Sequence, residues 1–380
     1  MARFLVGALV LVAVAIATFG VWMRSDAGGV VELSDAEVES ARASGVGARE
    51  IAVEASGEAD PLPTIDDLEA IARRVDADAI AARIREAREA ASGEDRELLT
   101  VLLAEAERIR GNVDVAYDLA RAGAEALPSN SRARYVLSQS IMTRLIAKAE
   151  EGGVAAMLAS IDDVRAYQAE LAAAVELDPA NVDARVRQII TFAFGPWPIG
   201  NKKKARALID ELGEYDAFKR DFWLVQLLVA DESKIDAAIA GFRALDERQP
   251  DDEHVLYNLG ELLAKKDDHR AAAEAFDRMV VEPRTSRAYQ ALYQGAKARE
   301  KGDFELDRAL EMLEEVESAD PVGDLMPTRD RVLYHKGKVL AKLGRNDEAR
   351  VAYEAALEVR PGNERVESAL AKLDGDGADG

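Results

Sequence analysis

Residues 330–363 read DRVLYHKGKVLAKLGRNDEARVAYEAALEVRPGN. Leu333, Gly337 and Leu340 are three or four residues apart, so they share one face of a first helix. Leu343-Gly344-Arg345-Asn346-Asp347 then supplies a turn. Ala349, Tyr353 and Ala356 repeat the helical spacing in a second helix, and Pro361 ends it because proline lacks the amide donor. The stretch is a helical hairpin with small residues where its helices cross.

The pattern recurs. Residues 253–286 carry Leu256, Leu259, Gly260, Leu263, Ala272 and Phe276, with Pro283 near the end. Residues 219–252 carry Phe222, Ala238, Phe242, Leu245 and Pro250, and residues 97–130 carry Leu103, Ala104, Ala116, Ala120, Gly123 and Pro128. Three further units are irregular. Residues 131–181 exceed one unit of about 34 residues by about 17, and Lys148 to Ser160 is predicted as a protruding loop or lengthened helices. Residues 182–216 contain Gly195-Pro196-Trp197-Pro198-Ile199-Gly200, and residues 287–329 carry Tyr293, Gly295, Ala309, Leu313 and Pro321.

These residues and their spacing resemble the tetratricopeptide repeat family from about Leu98 to Leu373. The resemblance implies an all-α fold, a right-handed superhelical solenoid of antiparallel helix pairs, with an N-terminal hydrophobic helix in front. Each pair buries its apolar face only against its neighbours. The predicted organisation is residues 1–24 as transmembrane anchor or signal peptide, 25–64 as an acidic linker, 65–373 as the solenoid and 374–380 as an acidic tail.

The N-terminal assignment rests on Phe4 to Met23, an uncharged stretch between Arg3 and Arg24 long enough in a helix for a bilayer core of about 30 Å. Arg3 before it and the acids after Arg24 place the body outside the cytoplasm, anchored in the inner membrane and facing the periplasm. Ala15-Ile16-Ala17 and Ser25-Asp26-Ala27 offer the alternative of a cleaved signal peptide. Glycines, prolines and acids between Asp26 and Thr64 read as a spacer.

Composition narrows the function classes. With 49 Lys and Arg against 71 Asp and Glu, the net charge is -22. Nucleic-acid binding needs a basic face to neutralise phosphates, so no nucleic acid is expected, and a basic or mixed-charge protein partner is. The chain has no cysteine, which removes disulfides and thiolate sites. His254, His269 and His335 fall in no zinc or triad pattern and read as surface or packing residues. Asp162-Asp163, Asp251-Asp252 and Asp267-Asp268 read as helix caps, and Lys202-Lys203-Lys204 as a solvated helix start. The glycine spacing in Gly375 to Gly380 lacks the strand and helix of a nucleotide site. No enzyme activity, cofactor or metal is expected.

The resemblance implies an inner face lined by first helices that binds a peptide or protein. Positions that hold a peptide carboxylate in family members with that specialisation are here Trp223 and Leu227, Tyr257 and Glu261, and Tyr334 and Lys338. Only Lys338 has suitable chemistry, and Glu261 would repel a carboxylate. Trp223, Tyr257, Tyr334, Lys338 and Trp197 are therefore the candidate protein-binding residues, forming an aromatic-lined groove unless the rings tuck between helices. The predicted function is an extracytoplasmic protein–protein interaction scaffold or adaptor in a cell-envelope assembly. The alternatives are a periplasmic accessory component of a solute transport system and a self-assembling homo-oligomer.

Overall fold

The computed structural model describes residues 77–195, 199–281, 285–319 and 326–376. The predicted anchor, linker and tail end lie outside these residues, as does Trp197. Among the described residues every regular element is helical. None of those helices is long and apolar enough to cross a membrane. The chain divides into two compact units, residues 1–220 and 221–380.

The first unit contains α1 (Ala77–Ala90), α2 (Gly93–Ile109), α3 (Val113–Ala126), α4 (Ser131–Ala159), α5 (Ile161–Leu177), α6 (Val182–Phe194) and α7 (Lys202–Leu212). Each packs against the next. Val101, Ala104, Ala120, Ala124, Val136 and Tyr167 form part of one core, so small residues lie where α2, α3 and α4 approach. A Cβ on Gly123 would lie 2.7 Å from Val101 Cγ2, which shows how closely α3 approaches α2. Of the two readings of Lys148 to Ser160, the structure takes the lengthened helix, since α4 runs for 29 residues through Gly152-Gly153.

A carboxylate fixes the start of this unit. Glu107 is buried on α2. Its Oε1 accepts from Arg85 Nη2 of α1 at 2.7 Å, and Oε2 accepts from Arg110 Nη1 at 2.7 Å. Asn112 Nδ2 also donates to Oε2 at 2.5 Å, so one acid joins α1, α2 and the turn into α3. A buried charge is tolerated when partners replace its lost water, and three do so here.

Helix α8 (Ala217–Val229) carries the chain past residue 220. The second unit then forms α9 (Ile235–Arg248), α10 (Glu253–Lys265), α11 (His269–Arg278), α12 (Ser286–Gly302), α13 (Leu306–Ser318), α14 (Arg329–Lys342), α15 (Asn346–Val359) and α16 (Glu364–Asp376). Three hairpins follow one another: α10 with α11, α12 with α13, and α14 with α15. Each uses the same close approach. A Cβ would lie 2.7 Å from Phe276 Cζ at Gly260, 2.9 Å from Met312 Cε at Gly295, and 2.5 Å from Tyr353 Cε1 at Gly337. Glycine there lets a large side chain of the second helix lie against the backbone of the first.

The turns follow local chemistry. Asp252 Oδ1 accepts from the amides of His254 and Val255 at 3.0 and 2.9 Å, and Asp268 Oδ1 accepts from Ala271 N at 3.3 Å, which caps α10 and α11. Gly344 leaves α14 with φ 75°, and Asp267 takes the matching place after α10 at φ 60°. Left-handed backbone suits glycine and is tolerated by aspartate, so the turn persists although its residue changes. Arg299 then ties three helices together. Its buried guanidinium donates to Asp277 Oδ2 at 2.6 Å and to Glu305 Oε2 at 3.0 Å, joining α12 to α11 and to the start of α13.

Candidate functional site

The glycine of each hairpin turns one side of the first helix toward its partner. The residues flanking that side form a row along α10, α12 and α14. On α10, the Tyr257 ring packs edge-on against Phe276 with centroids 6.0 Å apart. Gln290 Nε2 of α12 reaches the Tyr257 hydroxyl at 3.5 Å. Tyr257 is half-buried, and burial pushes its phenol above the ordinary range, with Glu261 adding to the effect.

Glu261, one turn further along α10, is exposed. Partial desolvation pushes its carboxyl up, against the pull of Lys297 and Lys301. Lys297 stands across from it on α12. Its Nζ donates to Gln294 Oε1 at 2.9 Å and lies 5.9 Å from the Tyr293 ring centroid. Burial pushes the Lys297 ammonium down, and Glu261 opposes that shift.

The row continues to α14 through Glu300. Its buried carboxylate lies 2.7 Å from Lys338 Nζ and 3.2 Å from His335 Nδ1. Tyr334 packs edge-on against His335 with centroids 5.1 Å apart, and Lys338 Nζ is 5.8 Å from the Tyr334 ring centroid. Arg331 is exposed at the start of α14, and its charge reaches both Tyr293 and Lys297.

The candidate residues separate accordingly. Tyr257, Tyr334 and Lys338 lie along this row, and the Glu300 carboxylate holds the Lys338 ammonium. Trp223 is corrected. It is 2 % exposed and packs edge-on to Phe222 with centroids 5.6 Å apart, so no partner can reach it and it acts as a core residue. Trp197 lies outside the described residues. Sequence reasoning missed Gln290, Gln294, Lys297, Glu300 and Arg331, since glutamine and charged residues on a helix resemble a solvated face. The usable signal was the opposite charges of Glu300 and Lys338 on successive first helices.

Among the described residues no cluster of His, Asp or Glu could hold a metal ion. The row offers hydroxyls, amides, cations and ring edges. Those groups recognise a chain segment by hydrogen bonds and apolar contact.

Hairpins of helices stacked in sequence define a helical repeat protein. Residues 302–373 match the Tetratricopeptide repeat family model. The match runs from the end of α12 into α16 and includes the Gly337–Tyr353 contact. In fold the chain is similar to the crystal structure of the APC/C hetero-tetramer Cut9-Hcn1, at 13% identity and a TM-score of 0.43, covering 82% of this chain and 67% of that one. It is also similar to yeast Tom70, at 16% identity and a TM-score of 0.47, covering 76% of this chain and 65% of that one. For YrrB, described as a TPR protein with an unusual peptide-binding site, identity is 17%, the TM-score is 0.30, and coverage is 56% of this chain and 98% of that one. No curated protein matches the chain in sequence.

Proposed function

We propose that the protein is a protein–protein interaction scaffold, and that the row along α10, α12 and α14 holds an extended segment of its partner. The observation that carries this reading is the sharing of polar and aromatic groups across three successive first helices. Tyr257 meets Gln290 between α10 and α12, and Glu300 meets Lys338 between α12 and α14. Groups already held in place lose little freedom on binding, which favours recognition over non-specific adhesion. A right-handed superhelical stack of these hairpins within the second unit would turn the row inward.

A photo-crosslinking residue at position 290 should capture a partner protein. The same residue at position 351, where Val351 is 65 % exposed on α15, should not. Capture only from position 351, or equally from both, would contradict the assignment of the face.

The uncharged stretch Phe4 to Met23 supports placing this scaffold outside the cytoplasm, in a cell-envelope assembly, either anchored or released after cleavage. A reporter fused after Asp26 should then read as extracytoplasmic. A cytoplasmic signal would remove the envelope setting and leave the scaffold reading untouched.

A further inference from the structure

The three histidines differ in what holds their rings. His254 Nδ1 lies 3.9 Å from Asp252 Oδ1, and His269 Nε2 lies 3.7 Å from Asp267 Oδ1, both beyond hydrogen-bond length. His335 Nδ1 lies 3.2 Å from Glu300 Oε2. The Tyr293 ring of α12 and the Tyr334 ring of α14 meet the imidazole edge-on, with centroids 5.5 and 5.1 Å from it. One carboxylate and two rings therefore fix this imidazole in the row.

The bond to Glu300 decides which nitrogen is open. An ionised carboxylate accepts and cannot donate, so Nδ1 carries the proton and Nε2 keeps a lone pair. Burial pushes the imidazolium down, which keeps the ring neutral at pH 7. Nε2 has no hydrogen-bond partner among the described residues. Fully buried polar atoms left without a partner include His269 Nδ1 but not His335 Nε2. The His335 side chain is 12 % exposed, and its accessible part includes this acceptor.

The surroundings select what can bond there. Lys338 Nζ is 2.7 Å from Glu300 Oε1, and Lys297 Nζ is 5.9 Å from the Tyr293 ring centroid. Both ammoniums act on the His335 ring, so they disfavour a cationic donor such as lysine or arginine. A carboxylate brings no proton and would set lone pair against lone pair at Nε2. An uncharged N–H or O–H meets neither obstacle, and the two tyrosine rings offer apolar contact on either side.

We infer that His335 Nε2 is a specificity-determining acceptor of the row, taking a hydrogen bond from an uncharged hydroxyl or carboxamide side chain of the partner; this rests on the scaffold reading and names the chemistry that one position of the same row selects. Glu300 is a positioning residue here, because it holds the tautomer. A partner side chain that covers Nε2 without donating to it leaves a desolvated acceptor unpaired. Selection thus comes from the penalty on a wrong side chain as well as from the bond to a right one.

The test uses the full chain with isotope-labelled histidine, and a synthetic peptide copied from the partner segment crosslinked at position 290. Nitrogen resonances at pH 7 should show His335 protonated at Nδ1, and the peptide should move Nε2 toward a hydrogen-bonded acceptor. His335→Asn keeps a donor where Nδ1 stood and has no atom at Nε2, so it should bind the peptide about tenfold more weakly. His335→Gln keeps an acceptor near Nε2 and should bind more tightly than the asparagine variant. A purely structural His335 would reverse that order, since asparagine retains the bond to Glu300. Replacing the contacting hydroxyl or carboxamide residue of the peptide by alanine should give the same loss, with no further loss in His335→Asn. A proton on Nε2 in the free chain, an Nε2 resonance unmoved by the peptide, the reversed order of variants, or coupling to a charged peptide residue instead would overturn the inference and leave the scaffold reading intact. Failure to crosslink any partner at position 290 removes the scaffold reading, and this role of His335 with it, even where the tautomer is as expected.

Discussion

Glu300 Oε1 on α12 lies 2.7 Å from Lys338 Nζ on α14, and the same carboxylate meets His335 Nδ1 at 3.2 Å through Oε2. An ionised carboxylate only accepts, so His335 Nδ1 carries the proton of that bond. Burial pushes the imidazolium of His335 down, and Glu300 opposes the shift. Burial alone would push Glu300 up, but the bonds from His335 and Lys338 outweigh it and hold the carboxyl at about 2. One buried acid thus joins the first helices of two hairpins, next to Tyr334 of the proposed binding row.

Acid should weaken the second unit in two stages. His335 is depressed from its ordinary 6.5, so as pH falls below that value the unfolded chain takes up a proton that the folded chain resists. Glu300 is depressed from 4.5 to about 2, so its contribution is present above 4.5 and is lost as pH falls through 2. Urea midpoints measured from pH 7 to pH 3 in a Glu261→Gln background, which removes the opposing effect of that raised carboxyl, should fall throughout, and His335→Gln should flatten the part just below pH 6.5. A midpoint that rises between pH 7 and pH 5 would contradict a neutral His335 beside an ionised Glu300.

Glu300→Gln keeps the shape of the side chain but removes the charge that faces Lys338. The expected loss is about 2 kcal/mol, the size of a hydrogen bond to a charged group, because Glu300 is buried. Denaturant titration of the purified chain reads this directly, and a loss near zero would show that the bond does not hold α12 to α14.

Gly337→Ala sets two effects against each other. Alanine favours a helix over glycine by about 1 kcal/mol, but its Cβ would lie 2.5 Å from the buried Tyr353 ring. Overpacking costs about 1–3 kcal/mol, so the net change should be destabilising. Tyr353→Leu should relieve the clash and reverse the sign of the Gly337→Ala change. Stabilisation by Gly337→Ala alone would mean that α14 and α15 leave room for the added methyl group.

Trp223→Ala should destabilise the chain by about 3–5 kcal/mol, as expected for truncating a fully buried aromatic, and should leave any remaining folded protein with unaltered partner affinity. A normal melt with weakened binding would restore Trp223 as a contact residue.

Much of the fold was legible in residues 330–363, because Gly337, Tyr353, Ala349 and Ala356 are fixed by how closely two helices pack. Packing restricts residue size, and size shows in a sequence. The same reasoning singled out Gly260, Phe276 and Gly295; Gly260 packs against Phe276, and Gly295 packs against Met312, which the spacing did not mark. The site was less legible. Trp223, Tyr257 and Tyr334 hold equivalent register positions, yet Trp223 is buried while the two tyrosines are half-buried. Register places a side chain on a helix face, but neighbouring helices decide whether it is covered. Glu300 was hidden for a related reason, since a carboxylate on a charged helix reads as solvated until its partners on the next hairpin are known.

The most direct measurement is the affinity of the partner captured from position 290 for the intact chain and for Tyr257→Ala and Gln290→Ala. These two residues meet across α10 and α12. If the row holds the partner, at least one variant should lose about 2 kcal/mol of binding, roughly thirtyfold, while retaining the helicity and cooperative melting of the parent. Affinities within twofold of the parent for both folded variants would contradict the account.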